Sequence, residues 1–259
     1  MRGISKNYKV TNMLMGPDFR LTCISAQMLA QDCFASYMAR HNVAAFDLAR
    51  QSKMWIISEF YMRFSDPMPF WGDTVTVESW MSENPAVKVF IDYRLTHRGR
   101  VFAQGYAVWA ILDIMSRRPV ACAEILSPIE CVPELTIGSH HHRISPGSDS
   151  VFSYSHVANN GNTDFNGHVS NITYLKMCSN AMPMDYLSTH RMTSVDVKFV
   201  RESFLGQELW CQVFAGAGPD SWTYVIQNGD GLVNCEAAAS FVQGADGEVD
   251  YDNLEIRNA

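Results

Sequence analysis

A carboxylate, an amide and an imidazole lie close together in the segment 164–168, which reads Asp-Phe-Asn-Gly-His. The residues that follow, from 169 onward, predict a mostly apolar helix. If the segment before this helix is extended, the side chains of Asp164, Asn166 and His168 point to one side. Backbone N–H groups at a helix N-terminus stabilise developing negative charge. The segment therefore predicts half of a hydrolytic active site.

The composition is typical of a globular protein and argues against nucleic acid as the main partner. The 259 residues are 47% hydrophobic and 18% charged, with a formal net charge of −7. No block of lysine or arginine offsets that charge. Seven cysteines without a C-x-x-C pair predict reduced thiols and a cytoplasmic location. Neither a secretory signal nor a membrane-spanning segment is expected.

The apolar pattern predicts an α+β fold in which two halves repeat one order of elements. In the first half we expect a strand over 6–15, a helix from 21 to 38, a second helical piece over 43–51, and strands over 54–64, 74–81, 87–95 and 101–114. In the second half we expect a strand over 151–157, a helix over 169–182, and strands over 194–203, 206–214, 222–227 and 232–242.

Matching spacings support an internal duplication. Gly72 and Gly99 are 27 residues apart, and the glycines of the second half, Gly206 and Gly231, are 25 apart. A longer stretch before Gly72 predicts an extra helical piece in the first half. The second predicted helix has only a narrow polar stripe, so a sheet must wrap around it. We predict two tandem hotdog units, each an antiparallel sheet around a central helix, over 1–123 and 151–259, with a connector over 124–150.

Four segments of this chain form a further pattern: Trp71-Gly72-Asp73-Thr74-Val75 with Glu78-Ser79-Trp80, Val108-Trp109-Ala110 with Ser116-Arg117-Arg118-Pro119, Asp164 to Asn171, and Val200-Arg201-Glu202-Ser203. In order and spacing they resemble the acyl-acyl-carrier-protein (acyl-ACP) thioesterases of plant plastids and their bacterial relatives, over roughly residues 5–243. The resemblance implies a tandem double hotdog in which the N-terminal unit holds the acyl chain and the C-terminal unit is catalytic.

The resemblance also implies a catalytic set, which consists of Asp164, Asn166, His168 and Glu202. We expect Glu202 to act as the general base on water, with Asn166 holding that water or the thioester. His168 would bond the water or the leaving thiolate, and Asp164 would orient His168.

Four further residues are predicted to bind the substrate. Backbone N–H groups near Gly167 and Val169 would form the oxyanion hole, and Gly167 would allow close approach. Trp55 and Trp71 would line the acyl-chain pocket. Both belong to an aromatic set that is also explained by core and edge packing.

Two departures from the family pattern bear on the mechanism. Ser203 stands where the family has cysteine, and no base is adjacent to it in the sequence. A Cys–His mechanism is therefore excluded at that position, which favours water activated by a carboxylate. Asn180 stands where plant members carry glutamate, so the polarity of the pocket is expected to differ.

The candidate residues also have purely structural interpretations. An acidic residue before a helix is usually only a cap. On a continuous strand Glu202 would share a surface face with Asp196 and Lys198, and the sequence shows no bend near Ser203 that would redirect it. The histidines at 140–142 lie in a Pro/Gly-containing connector, so no metal site is predicted, and no cofactor is expected.

The expected reaction is hydrolysis of fatty acyl-ACP to free fatty acid, in fatty acid biosynthesis. Because the carrier protein and this chain are both acidic, contact requires a local basic patch. The candidates for that patch are Arg117, Arg118, Arg143, Arg191, Lys198 and Arg201. Alternatives are an acyl-CoA thioesterase, an enoyl-thioester hydratase and a non-catalytic acyl-thioester sensor. No membrane partner is expected, and the chain is predicted to be a monomer with an intrachain hotdog pair, or a homodimer.

Overall fold

Two units make up the described part of the chain, which comprises residues 3–140, 143–164 and 167–244 of a computed structural model. Unit 1 consists of residues 3–56 and 62–140, and unit 2 of residues 57–61, 143–164 and 167–244. The predicted connector is divided, since its first residues, to 140, belong to unit 1. The domain boundaries drawn from the sequence stay predictions. In the described residues no helix is both long enough and apolar enough to cross a membrane.

Unit 1 is an antiparallel sheet packed against a long helix. Its elements in chain order are β1 (Ile4–Lys9), α1 (Cys23–Arg40), α2 (Ala45–Ala49), β2 (Lys53–Phe64, whose middle residues 57–61 cluster with unit 2), β3 (Thr74–Glu83), β4 (Val89–His97) and β5 (Arg100–Asp113). The sheet order is β1-β3-β4-β5-β2. The hairpin between β4 and β5 turns at Arg98 and Gly99, whose φ angles are 49° and 77°. Such positive angles are those of a two-residue hairpin turn.

Helix α1 begins where its sequence provides a cap. The Thr22 hydroxyl oxygen accepts the Ser25 N–H at 3.0 Å, as an N-cap does. Ala26, Ala30 and Cys33 follow at helical spacing and are wholly buried. Contacts of α1 with β3, β1 and β4 place the core of unit 1 between this helix and the sheet.

Unit 2 repeats this arrangement. Its elements in chain order are β6 (Ser150–Val157), α3 (Asn171–Asn180), α4 (Met184–Thr189), β7 (His190–Phe199), β8 (Glu208–Ala215), β9 (Ser221–Asn228) and β10 (Val233–Gln243). The sheet order, β6-β8-β9-β10-β7, is that of unit 1 with each strand replaced by its counterpart five strands later. Helix α3 contacts β6 and β8. The fold is therefore the tandem double hotdog that the sequence predicted.

The extra length of the first half has a different cause from the one predicted. Both units have a short second helix, α2 in unit 1 and α4 in unit 2, and the sequence pattern had indicated only the first. Helix α1 has 18 residues whereas α3 has 10, which accounts for much of the surplus. The predicted helix over 169–182 is two residues too long at each end, since α3 is Asn171–Asn180, and Pro183 is the N-cap of a separate helix.

The predicted strand over 194–203 is too long at its C-terminal end. Strand β7 ends at Phe199, where its pairing with β10 stops at Cys235. Glu202 therefore lies beyond the strand, and the alternation that would have placed it on one face with Asp196 and Lys198 does not extend to it. Its interpretation as a surface strand residue is wrong.

Residues 124–140 of the predicted connector contribute to the core of unit 1. Trp80 Nε1 donates to the carbonyl oxygen of Glu134 at 2.8 Å. Apolar side chains of this segment are buried at Leu126, Ile129, Val132 and Ile137. The segment covers part of unit 1 rather than acting as a free linker.

Candidate active site

A half-buried histidine–carboxylate pair lies in unit 2. Nδ1 of His168 is 3.6 Å from Oε1 of Glu202, and the two side chains are 16% and 32% exposed. The structure thus brings together two of the predicted catalytic residues that are 34 positions apart in the sequence. Their remaining exposure leaves the pair open to water or to a substrate. Their chemical roles stay predictions.

The segment that presents His168 is a closed turn, not the extended lead-in that the sequence suggested. The Asp164 N–H donates to the His168 carbonyl at 2.8 Å, and the Gly167 N–H donates back to the Asp164 carbonyl at 3.0 Å. Thr163 and Val169 bridge the ends of the turn. Gly167 has φ 76°, and open space surrounds the position that a Cβ would take. The turn therefore needs glycine for its backbone and leaves room beside it.

Asp164 acts on the main chain of His168. Its Oδ1 accepts the His168 N–H at 3.3 Å, so the carboxylate fixes the backbone from which the imidazole projects. If Asp164 orients His168, as predicted, it does so through this bond to the main chain of His168. Asn166, the remaining predicted catalytic residue, and Phe165 lie outside the described residues.

The N–H groups expected to form the oxyanion hole have partners within the protein in this conformation, and the oxyanion hole itself stays a prediction. The Gly167 and His168 N–H groups both donate to Asp164, as described above, and the Val169 N–H donates to the Ser203 carbonyl at 2.8 Å. All three donors are already used within the protein, so none points at a substrate oxygen. Val169 itself is buried. It anchors the turn against the loop that carries Glu202.

Ser203 is buried, and both lone pairs of its hydroxyl oxygen accept hydrogen bonds. The Tyr174 hydroxyl donates to Ser203 Oγ at 2.8 Å, and Asn234 Nδ2 donates to it at 2.8 Å. Burial raises the pKa of Tyr174 to about 12, so its phenol keeps the donated proton near neutral pH. Ser203 has no exposed surface. It is a structural centre and not a nucleophile.

Three residues around the pair were missed by the sequence reasoning: Tyr174, Asn234 and Phe204. The ring of Phe204 meets the imidazole of His168 edge-on, with centroids 5.2 Å apart, and Phe204 is 46% exposed. Tyr174 and Asn234 lie inside an apolar helix and an apolar strand, where they resemble ordinary core residues. No local pattern in the sequence distinguishes them.

The other predicted substrate-binding residues lie in unit 1. Trp55 is buried, its Nε1 donates to the Val43 carbonyl at 2.8 Å, and its ring meets that of Phe34 edge-on at 5.4 Å. Trp71 is 45% exposed. Contact of either with an acyl chain stays a prediction. Asn180, the departure at the helix, is exposed, and its Nδ2 donates to the Tyr154 hydroxyl at 3.4 Å.

The described residues contain no cluster of three or more histidine, cysteine, aspartate or glutamate side chains placed to hold a metal ion. His140, one of the three connector histidines, is buried against Asp92 with Nε2 to Oδ2 at 2.9 Å. The pair of His168 and Glu202 therefore has no further ligand set around it within the described chain.

Comparison with known proteins finds a family match within unit 2. Residues 154–243 match the sequence model of a family described as the acyl-ACP thioesterase C-terminal domain. The chloroplastic acyl-[acyl-carrier-protein] hydrolase FATB1 of Cuphea viscosissima is 23% identical over 165 residues, covering 60% of this chain and 39% of the relative. The chloroplastic palmitoyl-acyl carrier protein thioesterase of Cuphea hookeriana is 22% identical over 209 residues, covering 76% of this chain and 49% of the relative.

Solved structures share the fold over nearly the whole chain. An acyl-ACP thioesterase from Bacteroides thetaiotaomicron aligns with a TM-score of 0.83 at 18% identity, covering 92% of this chain and 97% of that one. A 12:0-ACP thioesterase from Umbellularia californica aligns with a TM-score of 0.81 at 16% identity, covering 93% and 97%. In the sequence comparisons, the chain spans less than half the length of the two curated Cuphea relatives. These findings confirm the fold and the resemblance to the acyl-ACP thioesterase family.

Proposed function

We propose, from this family resemblance, that the protein hydrolyses the thioester bond of fatty acyl-ACP and releases the free fatty acid. The observation that carries the proposal is the His168–Glu202 pair, with Nδ1 and Oε1 3.6 Å apart, in a unit whose sequence matches the acyl-ACP thioesterase C-terminal domain. Relatives and structural neighbours are named acyl-ACP hydrolases or thioesterases. Thioester hydrolysis needs a base and a partner for the leaving thiolate, and the pair supplies both.

In the proposed mechanism a water molecule beside Glu202 attacks the carbonyl carbon. Glu202 takes a proton from that water as the new C–O bond forms, which generates the tetrahedral intermediate. The C–S bond then breaks, and the thiolate receives the proton and leaves as the thiol of the carrier. His168 bonds the water or the leaving sulfur, and Asn166 keeps its predicted role of holding the water or the thioester.

The buried position of Ser203 supports water, rather than a side chain, as the nucleophile. Its hydroxyl oxygen accepts from both Tyr174 and Asn234, so no lone pair remains for attack. A nucleophile must also reach the carbonyl carbon, and Ser203 has no exposed surface. This leaves the exposed carboxylate of Glu202 as the group that acts on the thioester through water.

Contact with the acidic carrier protein is proposed to use basic side chains of unit 2. Arg201 is exposed beside Glu202. Lys198 is 59% exposed on β7, where its Nζ lies 3.8 Å from Glu236 Oε2. Positive charge next to the reacting group would attract an acidic partner at long range. Activity on acyl-ACP should then fall as salt rises, whereas insensitivity to salt would count against a charged contact. A cytoplasmic location is also proposed, because all seven cysteines are free thiols.

The proposal is tested by a thiol-release assay over a panel of acyl-ACP chain lengths, with matched acyl-CoA substrates. We expect the Glu202→Gln variant to lose about 10²–10⁴-fold in kcat while its thermal unfolding is unchanged. Glu208→Gln is the matched control, since Glu208 is an exposed glutamate of unit 2 outside the pair.

The outcomes separate the alternatives. A higher kcat/KM with acyl-CoA than with acyl-ACP would make the protein an acyl-CoA thioesterase. Binding of the acyl thioester without thiol release would make it a sensor. Wild-type rates in Glu202→Gln would remove Glu202 from the role of base.

A further inference from the structure

Asn234 is a buried amide at the start of β10, directly behind the loop that carries Glu202. Its side chain has no exposed surface. A buried amide is costly unless it is bonded, and Asn234 Oδ1 has no partner among the described residues. Apolar residues flank it on the strand, so packing alone does not account for an amide here. The partners of its remaining groups indicate what it does.

Asn234 forms a hydrogen bond with every residue of the loop 200–203. The Asn234 carbonyl accepts the N–H groups of Val200 and Arg201 at 2.8 and 3.1 Å. The side-chain Nδ2 donates to the Glu202 carbonyl at 3.1 Å and to Ser203 Oγ at 2.8 Å. One residue thus binds four consecutive residues, with Glu202 among them.

Asn234 is also the extra residue of a β-bulge. In the pairing of β10 with β9, Val233 opposes Gln227 and Cys235 opposes Ile226, so Asn234 has no partner of its own in that register. Bulges bend a strand and redirect side chains next to functional sites. Here the bulge turns Asn234 toward the loop just where β7 has ended at Phe199.

The same network reaches the turn that carries His168. Ser203 receives the Tyr174 hydroxyl from helix α3, and its carbonyl accepts the Val169 N–H at 2.8 Å. His168, which precedes Val169, forms a β-bridge with Phe204, which follows Ser203. The loop of Glu202 and the turn of His168 are therefore fixed to one another through Ser203, which Asn234 holds in place.

We infer that Asn234 is a positioning residue that makes the bend after β7 and thereby aims the carboxylate of Glu202 at His168. The kinetic consequence of this inference rests on the proposed function. Its structural consequence, the bend that aims Glu202 at His168, does not. Without the bend, the strand would continue and Glu202 would follow the alternation of β7, away from the imidazole.

The kinetic test uses Asn234→Ala in the full chain with acyl-ACP as substrate. We expect kcat to fall at least tenfold and KM to change less than twofold, because binding is retained while the base is misaligned. Rates are divided by the folded fraction from thermal unfolding at the assay temperature. Asn228→Ala is the matched control, since Asn228 Oδ1 holds the neighbouring β9–β10 turn through the N–H groups of Asp230 and Leu232. Its kcat should be that of the wild type.

A double-mutant cycle distinguishes positioning from general damage. If Asn234 acts through Glu202, Asn234→Ala should change the residual rate less than twofold in the Glu202→Gln background. An equal loss in both backgrounds would overturn the inference. If Asn234→Ala does not fold, Asn234→Asp, which keeps the shape and removes the amide donor, takes its place with the same expected results.

A crystal structure of the folded variant gives a readout that needs no activity. We expect the distance between His168 Nδ1 and Glu202 Oε1 to open from 3.6 Å to beyond the reach of an ion pair. An unchanged distance would overturn the positioning role. If the wild type fails to hydrolyse acyl-ACP, the proposed function fails, and this structural arm still decides the role of Asn234.

Discussion

Each unit contains more than one histidine–carboxylate pair, and one pair from each unit, His140–Asp92 and His168–Glu202, is compared by its surroundings. In unit 1, His140 Nε2 and Asp92 Oδ2 are 2.9 Å apart, with the side chains 3% and 0% exposed. In unit 2, His168 and Glu202 are 3.6 Å apart and 16% and 32% exposed. The same two functional groups are therefore enclosed in the pair of His140 and Asp92 and open in the pair of His168 and Glu202.

The partners of the enclosed pair are all structural. The ring of His140 stacks on Phe90 with centroids 4.8 Å apart, and Asp92 Oδ1 accepts both the N–H and the hydroxyl of Thr136 at 2.7 Å. These bonds fasten residues 124–140 to the sheet of unit 1. The open pair sits on a turn and a loop, where one face of each group remains accessible. Chemical identity alone does not mark a catalytic pair, because accessibility decides whether a substrate can use it.

The largest expected effect is on the activity that depends on His168 and not on His140. His168→Asn should lower kcat on acyl-ACP by about 100-fold or more, because the partner of the water or thiolate is lost. Its thermal unfolding temperature should change little, since the side chain is partly exposed. Thiol release and calorimetry on the same preparation check both results. A variant that keeps wild-type turnover would show that the open pair is not catalytic.

The second prediction concerns the enclosed pair. Asp92→Ala leaves the ring of His140 and the N–H of Thr136 without their acceptor, so we expect a loss of about 3–5 kcal/mol in the free energy of unfolding. The rate per folded molecule should stay within twofold of the wild type. Glu134→Ala is the control, because Glu134 forms an exposed ion pair with Arg94, and such a pair contributes at most about 1 kcal/mol. Equal effects of the two substitutions in denaturant unfolding would contradict the contrast.

Another carboxylate of unit 2, that of Asp196, makes stability depend on pH. Burial raises the pKa of Asp196 to about 7, and the charge of Glu59 adds to the shift. Because the folded state holds the proton more tightly than the unfolded state, stability is greatest below pH about 4 and falls as pH rises to about 7. Asp196→Asn should remove this fall, so its unfolding temperature should gain several degrees on the wild type between pH 5 and pH 8. Asp230→Asn, at an exposed turn, should show no such gain.

The smallest expected effect concerns Ser203. Ser203→Cys restores the family's residue, but sulfur accepts hydrogen bonds weakly, so the bonds from Tyr174 and Asn234 weaken. We expect a loss of about 1 kcal/mol in stability and no rise in kcat. Thermal unfolding and thiol release measure the two quantities. A faster, thiol-alkylation-sensitive variant would show that position 203 can act as a nucleophile after all.

The sequence determined the fold because its signals are local and repeated. Apolar spacing predicted α1, and the order of strands with the matching glycine spacings predicted the duplication. Residues 164, 168 and 202 were predicted from motif order. The length of α3 and the existence of α4 were not, since Pro183 interrupts an otherwise continuous apolar pattern and propensity does not say whether a new helix follows.

Only the tertiary structure decided which way Glu202 points and which N–H groups are free. The bend after β7 is made by Asn234, which is 32 residues further along the chain. The N–H groups of residues 167–169 are satisfied by Asp164 and by Ser203, so in this conformation these three groups are not available for the oxyanion hole that the helix start suggested. Both results follow from hydrogen bonds between segments distant in sequence. A local pattern contains no information about such partners, because they become neighbours only when the sheet has formed.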